Sequence, residues 1–111
     1  IIQGAHIWGV AEIARNDQFN DDVKFDHAIS GENGLWLCQN HHKLFDSHYL
    51  AFNVDGHLMV PSNLRDEDGR FIRSITEKHI LSDQIMTDNF IWYLSQRNSI
   101  RDYSHYQRLV V

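Results

Sequence analysis

The chain has 111 residues, of which 42% are hydrophobic, which suits one domain with its own core and is too short for two ordinary domains. Charged residues at 23% and aromatic residues at 12% are typical of globular proteins and argue against a disordered chain. The net charge of −5 argues against a module that binds nucleic acid unaided, because phosphate binding depends largely on Lys and Arg.

The cysteine count and the length of the apolar runs bear on where in the cell the protein works. A single cysteine excludes an internal disulfide framework and suits a reducing compartment, so we predict a cytoplasmic location. No apolar run approaches the roughly 18 residues of a membrane span, and no signal peptide is visible, so we predict no membrane partner. The chain opens at Ile1 inside an apolar run, which favours a fragment of a longer protein.

The first half of the chain contains three short predicted elements. Residues 2–8 form an apolar strand, and residues 9–15 form one or two helical turns. Residues 16–33 are rich in Asn, Asp, Ser and Gly without sustained periodicity, which predicts a long loop of the kind that is often functional. Residues 38–46 suit a short helix.

A β-hairpin is the clearest local signal. The runs YLAFNV and HLMVP flank Asp55-Gly56, which predicts a hairpin with a type I′ turn at this pair. Pro61 ends the second strand, and residues 62–70 form a polar turn. Residues 72–96 carry apolar residues near helical spacing, and residues 102–111 add a last helical turn.

Four residues are plausible N-caps within residues 72–96, and they predict two helices rather than one. They are Ser82 or Asp83 and Thr87 or Asp88. Residues 89–111 carry Arg97, Arg101 and Arg108 against Asp102 alone, so a polyanion would meet this later part of the chain or a bound cation. Lys43 or another part of the parent protein would supply the rest of the attraction. The alternative for these arginines is a solvated helix face.

Eight histidines are the one unusual total, and two of them lie in CQNHHKLFD. His42 and Asp46 are four residues apart and share one helix face, where an imidazole and a carboxylate can hold a divalent cation. The alternative is an exposed helix whose Asp46 caps or pairs locally. Cys38 and His41 have the spacing of half a zinc site, but without a second such pair a partly buried free thiol is favoured.

Two more residues mean little in isolation. Asn33-Gly34 is first of all a turn dipeptide. His6, between Ala5 and Ile7 in an apolar strand, would by itself indicate a hydrogen-bonded core histidine.

Taken together, His6, Asn33 and His42 resemble the pattern of the HNH endonucleases, the ββα-metal finger nucleases. The match covers residues 3 to about 60 and is closest to the restriction-type branch, with AHIWGV, ENGLWLCQNHHKLFD and YLAFNVDGHLMV in order. The resemblance implies an α+β fold with a ββα-metal finger, a β-hairpin and C-terminal helices. It implies one HNH nuclease domain over residues 1–111, with a core and hairpin at 1–60 and a helical extension at 61–111.

The resemblance also implies roles for individual residues. His6 is the general base, which suits imidazole because it exchanges protons near neutral pH. Asn33 orients that base, and His42 is the catalytic metal ligand. Asp46 stands where some members carry a second helix ligand.

One position departs from the pattern. Many HNH enzymes have a metal ligand immediately before the base, and here that residue is Ala5. The metal would then be held by the two helix ligands, water and substrate phosphate, or by a further group such as Asp26 or His27. Mg²⁺ tolerates so sparse a shell because it keeps several waters.

The implied function is a metal-dependent endonuclease that hydrolyses phosphodiester bonds of double-stranded DNA. Mg²⁺ is the expected metal, with Mn²⁺ or Ni²⁺ as alternatives and Zn²⁺ less suited. The implied setting is restriction or anti-phage defence, with a recognition or sensor domain in the same protein and a homodimer as a further expectation. The alternative is an inactive finger that binds nucleic acid or protein, with a structural zinc.

Overall fold

The computed structural model describes residues 2–109 as helices and two small antiparallel sheets, so the α+β prediction is confirmed. Residues 1, 110 and 111 lie outside the described residues, as do the parts of the predictions that fall on them. The strands are β1 (Ile2–His6), β2 (Gly34–Cys38), β3 (Ala51–Phe52), β4 (Leu58–Pro61) and β5 (Tyr106–Arg108). The α-helices are α1 (Val10–Ala14), α2 (Asp21–Ile29), α3 (Gln39–Asp46), α4 (Asp66–Ile75) and α5 (Asp88–Ile100). Single 3₁₀ turns cover Gly31–Asn33 and Asp83–Ile85.

Strands β1 and β2 and helix α3 form a ββα unit. The strands pair antiparallel, with His6 opposite Gly34 and Ile2 opposite Cys38. Alternate side chains point to opposite faces, and Ala5 and Leu35 are buried on the inner face. His6 belongs to the outer, exposed face. Helix α3 follows β2 directly and contacts β1, so the unit brings the strand of His6 next to the helix of His42.

The prediction of a loop over residues 16–33 was wrong, because helix α2 occupies its centre. Asn20 caps this helix by accepting a hydrogen bond from the Val23 N–H at 2.9 Å. Asp21 and Asp22 lie in the first turn, where the helix dipole favours negative charge. No residue of α2 is buried, so the helix lacks the apolar stripe that periodicity analysis detects.

The hairpin of β3 and β4 is confirmed, but the predicted type I′ turn was wrong. That turn requires positive φ at both central residues, and Gly56 (φ +84°) has it whereas Asp55 does not. The Gly56 N–H donates to the Asn53 carbonyl at 2.9 Å, and the Asn53 side chain accepts from the Asp55 N–H. The chain therefore makes a three-residue loop that ends on a left-handed glycine.

The second half contains two α-helices, as predicted, with different boundaries. Helix α4 begins at Asp66, inside the stretch predicted as a turn, and its first turn carries three acidic residues. Thr87 caps α5 by accepting from the Phe90 N–H at 3.2 Å, which confirms one predicted cap. The predicted last turn of helix was wrong, because β5 pairs with β4 instead.

The core lies between the inner face of β1–β2, helices α3 and α5, and the hairpin. Its fully buried side chains include Ile7, Phe45, Leu50, Ile72 and Leu94. Helix α5 therefore packs against the ββα unit, and the two halves of the chain share one core. Within residues 2–109, the helices fall short of the length and apolar character that spanning a bilayer requires.

Candidate functional site

His6 ends β1 with an exposed side chain, so it is not a core histidine. Its Nε2 lies 2.9 Å from the Ala28 carbonyl oxygen, at the end of α2. A carbonyl can only accept, so Nε2 carries the proton and donates it. Nδ1 consequently keeps its lone pair and is the ring atom that can accept a proton from another molecule.

Asn33 is the one buried polar side chain among residues 2–109. It fixes the backbone on both sides of the hydrogen bond between His6 and Ala28. Its Oδ1 accepts from the Trp8 N–H at 2.7 Å, and its Nδ2 donates to the Trp8 carbonyl at 3.0 Å. The same Nδ2 donates to the His27 carbonyl at 3.1 Å, one residue before Ala28. The Asn33 backbone carbonyl also accepts from the N–H of Ile7, directly after His6. Asn33 thus holds the end of β1, which carries His6, and the end of α2, whose Ala28 carbonyl bonds to His6.

Replacing Asn33 by Ala is expected to lower the free energy of unfolding by about 3 kcal/mol. The substitution removes three side-chain hydrogen bonds of about 1 kcal/mol each and leaves their buried partners unpaired. Urea unfolding of the two proteins measures this difference. Asn16→Ala is the control, since Asn16 makes one exposed bond to the Gln18 N–H and should cost under about 1 kcal/mol. A loss at Asn33 no larger than that at Asn16 would contradict the expectation.

His42 and Asp46 face each other on one side of α3, as their spacing predicts. His42 Nε2 lies 3.1 Å from Asp46 Oδ2, and the Asp46 side chain is 62% exposed. His42 Nδ1 lies 2.7 Å from Gln3 Oε1, an acceptor on the inner face of β1. Nδ1 therefore donates to Gln3, and Nε2, the other ring nitrogen, faces the Asp46 carboxylate. Such a nitrogen and oxygen pair fits one shared cation, which can be a proton or a divalent metal.

The predicted residues do not form a larger ligand group. Within residues 2–109, no three His, Cys, Asp or Glu side chains converge as a metal site. The hydrogen bonds described for that range do not join His6 to His42 or Asp46, and His6 and Gln3 belong to opposite faces of β1. His27, suggested as a further ligand, is not part of such a group in that range. Its Nδ1 lies 2.7 Å from the Tyr93 hydroxyl, and its ring stacks on Trp92.

Cys38 and His41 belong to a chain of hydrogen bonds that runs through Thr76 to the Ile72 carbonyl. The Thr76 hydroxyl donates to the Ile72 carbonyl, so it accepts from His41 Nε2 at 2.9 Å. His41 Nδ1 then accepts from the Cys38 thiol at 2.8 Å, and burial lowers the pKa of His41, which favours this neutral ring. The prediction of a partly buried free thiol is confirmed.

Arg97 contacts the residues next to His6 and Asp46, a role that was not predicted from the sequence. Its guanidinium donates to the carbonyl of Ile7 at 3.1 Å and to that of Phe45 at 2.8 Å. It also lies 3.6 Å from the centroid of the Phe45 ring. These residues directly follow His6 and directly precede Asp46, so Arg97 joins the strand of one to the helix of the other.

The guanidinium of Arg97 is a partly buried charge. Burial lowers the pKa of its guanidinium, and the charge and hydrogen bond of Tyr103 oppose that shift. The prediction that Arg97 meets an external polyanion was wrong in that both its terminal nitrogens are used internally. No local sequence signal marks this role, because both acceptors are backbone atoms far away in the chain.

A comparison with protein families covers the part of the chain that contains these residues. The family model described as HNH endonuclease matches residues 1–53, a little under half of the chain. The matched part contains His6, Asn33, His42 and Asp46 and ends before β4. No curated protein and no solved structure matches the chain. Residues 1–53, which contain the ββα unit, are thus similar to the HNH endonuclease family.

Proposed function

We propose that this protein is a metal-dependent endonuclease that hydrolyses phosphodiester bonds of DNA. The match of residues 1–53 to the HNH endonuclease family supports a nuclease-type activity, and nucleases of that family act on DNA. The observation that carries the finer proposal is the state of His6. Its Nε2–H is bound to the Ala28 carbonyl, which leaves Nδ1 of an exposed imidazole free to act as a base.

In the proposed reaction, His6 Nδ1 takes a proton from water as the water oxygen attacks the phosphorus. The P–O bond to the departing 3′ oxygen breaks, and negative charge builds on the phosphoryl oxygens and the leaving oxygen. The hydrogen bond to Ala28 holds the ring in one tautomer during this transfer. Asn33 contributes by fixing the backbone on both sides of that bond.

His42 and Asp46 are the residues that would hold the metal. The bond from Nδ1 of His42 to Gln3 orients the ring so that Nε2 faces the carboxylate, an arrangement typical of a histidine ligand. When bound, a divalent cation neutralises charge on the phosphate and the leaving oxygen. Mg²⁺ suits a site with two protein ligands, since it keeps several waters, and Mn²⁺ or Ni²⁺ are alternatives. Zn²⁺ is less suited to so sparse a set.

The rest of the attraction for DNA would come from exposed basic side chains. Lys43, Arg101 and Arg108 are exposed, whereas Arg97 is engaged inside the domain. A bound cation would offset part of the net charge of −5. Double-stranded DNA is the proposed substrate, because it is the one that the resemblance implies.

The wider setting also remains a proposal. We place the domain in a cytoplasmic restriction or anti-phage defence protein, where a recognition or sensor domain of the same protein directs it. A homodimer is proposed as its assembly, and residues 1–111 as one nuclease domain. The resemblance to the restriction-type branch supports these assignments.

An inactive finger that binds nucleic acid or protein is the second candidate. It is favoured by Ala5, which offers no ligand, and by the lack of a three-ligand group within the described part of the chain. Cleavage of supercoiled plasmid under Mg²⁺, Mn²⁺, Ni²⁺ or Zn²⁺ separates the two. Cutting under one of these ions supports the enzyme, whereas stoichiometric bound zinc without cutting under any of them supports the inactive finger.

Substituting Asp46 by Asn is expected to raise the Mn²⁺ concentration for half-maximal cleavage by at least about tenfold, the lower end of what losing even an outer-shell partner costs. The amide keeps the shape of the carboxylate but loses its charge. Mn²⁺ titration of plasmid cleavage measures the effect, and calorimetric titration of Mn²⁺ into the protein provides a readout without cleavage. Asp17→Asn is the matched control, since Asp17 is exposed and lies outside α3. Equal Mn²⁺ dependence in the Asp46 and Asp17 variants would show that Asp46 is not a ligand.

A further inference from the structure

Trp36 is the most exposed large apolar side chain described in the ββα unit, at 76% exposure. It lies on the outer face of β2, directly opposite Gly4 of β1. A Cβ on Gly4 would lie 3.6–3.9 Å from carbons of the Trp36 six-membered ring. The indole therefore covers the bare backbone of Gly4 with part of its surface and leaves the remainder open.

A cleft of about 230 Å³ adjoins this indole and contains His6. Ile29, which is 63% exposed, also lines it, together with Ser30 and Gly31. The cleft is lined by Gly4, Ala5, His6, Ala28, Ile29, Ser30, Gly31, Asn33, Gly34, Leu35 and Trp36. None of these is acidic, although the chain has 15 acidic residues. A polyanion can thus approach this cleft without meeting a carboxylate in its wall.

We propose that this cleft receives an unstacked nucleobase of the strand being cut, with the base lying on the indole of Trp36. The inference rests on the proposed nuclease function, because His6 lines the same cleft and would act on a phosphate next to that base. A nucleobase has flat apolar faces and a polar edge, which matches an exposed aromatic platform that shares a cleft with the imidazole of His6. Stacking of this kind tolerates any base sequence, because every base has a π-face.

The inference has a consequence for the substrate. A base within a smooth duplex is already stacked on its neighbours, so it must leave the stack to reach Trp36. Unpaired or easily distorted positions offer such a base at lower cost than a perfect duplex. The domain should therefore bind a single strand, or a duplex with an unpaired nucleotide, more tightly than a fully paired duplex of equal charge.

The test measures binding in a His6→Ala background, so that the DNA stays uncut. Fluorescence anisotropy reports the affinity for a labelled single-stranded oligonucleotide, for the same strand with abasic positions, and for its duplex. Trp36→Ala is expected to weaken single-strand binding roughly 5- to 150-fold, and Trp36→Phe should keep most of the affinity. Removing the bases should weaken binding to the Trp36 protein by a similar factor and leave the Trp36→Ala protein unaffected.

Phe71→Ala is the matched control, since Phe71 is 50% exposed, lies on α4 and does not line the cleft that contains His6. It should bind like the parent. Unchanged affinity in Trp36→Ala, or equal affinity for intact and abasic strands, overturns the inference while leaving the role of His6 to its own test. A change of oligomeric state in Trp36→Ala, measured by light scattering, assigns the surface to a second copy and also overturns it. A parent that binds no nucleic acid overturns the inference and the proposed function together.

Discussion

Replacing His6 by Ala is expected to reduce the DNA cleavage rate by roughly 100- to 10,000-fold, the range of general base catalysis. The fold should tolerate the change, because the side chain is exposed and makes one described hydrogen bond, to Ala28. The expected loss of unfolding free energy is therefore about 1 kcal/mol or less. Single-turnover cleavage of plasmid and urea unfolding measure the two effects separately.

A Gln at position 6 makes the test sharper. Its amide can still donate to the Ala28 carbonyl, but it has no basic nitrogen to take a proton from water. Gln should thus be as inactive as Ala, although it can keep the contact. His105→Ala is the matched control, because His105 is also exposed and lies next to β5. Parental cleavage by either His6 variant would exclude His6 as the base.

Replacing Arg97 by Met is expected to lower the free energy of unfolding by about 3 kcal/mol or more. It removes two charged hydrogen-bond donors from the carbonyls of Ile7 and Phe45, which belong to fully buried residues. We also expect a lower kcat with little change in KM, because Arg97 joins the strand of His6 to the helix of Asp46 without being proposed to touch the substrate. Urea unfolding and steady-state cleavage below the unfolding transition measure both effects.

Asn98→Ala separates positioning from stability. Asn98 is the next residue of α5, and its Nδ2 donates to the Phe52 carbonyl in β3, outside the proposed catalytic elements. It should lose stability and keep kcat. Arg97→Lys should recover part of the loss, because it keeps the charge but cannot donate in a fork to two carbonyls. If both α5 variants lost kcat in proportion to stability, Arg97 would have a structural role alone.

The elements that were predicted correctly are those whose own residue pattern, an apolar run or a helical spacing, is enough to indicate them. Strand β1 and the hairpin have short apolar runs, and α3 places His42 and Asp46 one turn apart, so all of them were predicted near their observed positions. Helix α2 was missed because it buries no residue and so lacks an apolar stripe. Strand β5 was missed because its partner, β4, lies far away in the sequence.

The candidate site shows the same division. His6, Asn33, His42 and Asp46 were named through the resemblance, and their catalytic roles remain predictions. The groups that orient them could not be read from the sequence. Gln3 reaches His42 only because of strand pairing and helix packing, and Ala28 contributes a backbone carbonyl that any residue type would provide.

The link between Arg97 and Ile7 spans 90 positions of the chain. During synthesis on the ribosome, β1 with His6 and α3 with the candidate metal ligands emerge early. Arg97, which joins them, emerges much later. Closing so long a loop is slow compared with forming local helices and hairpins. On the proposed nuclease function, a partly synthesised chain should not cut nucleic acid, and activity should arise only once nearly the whole domain has left the exit tunnel.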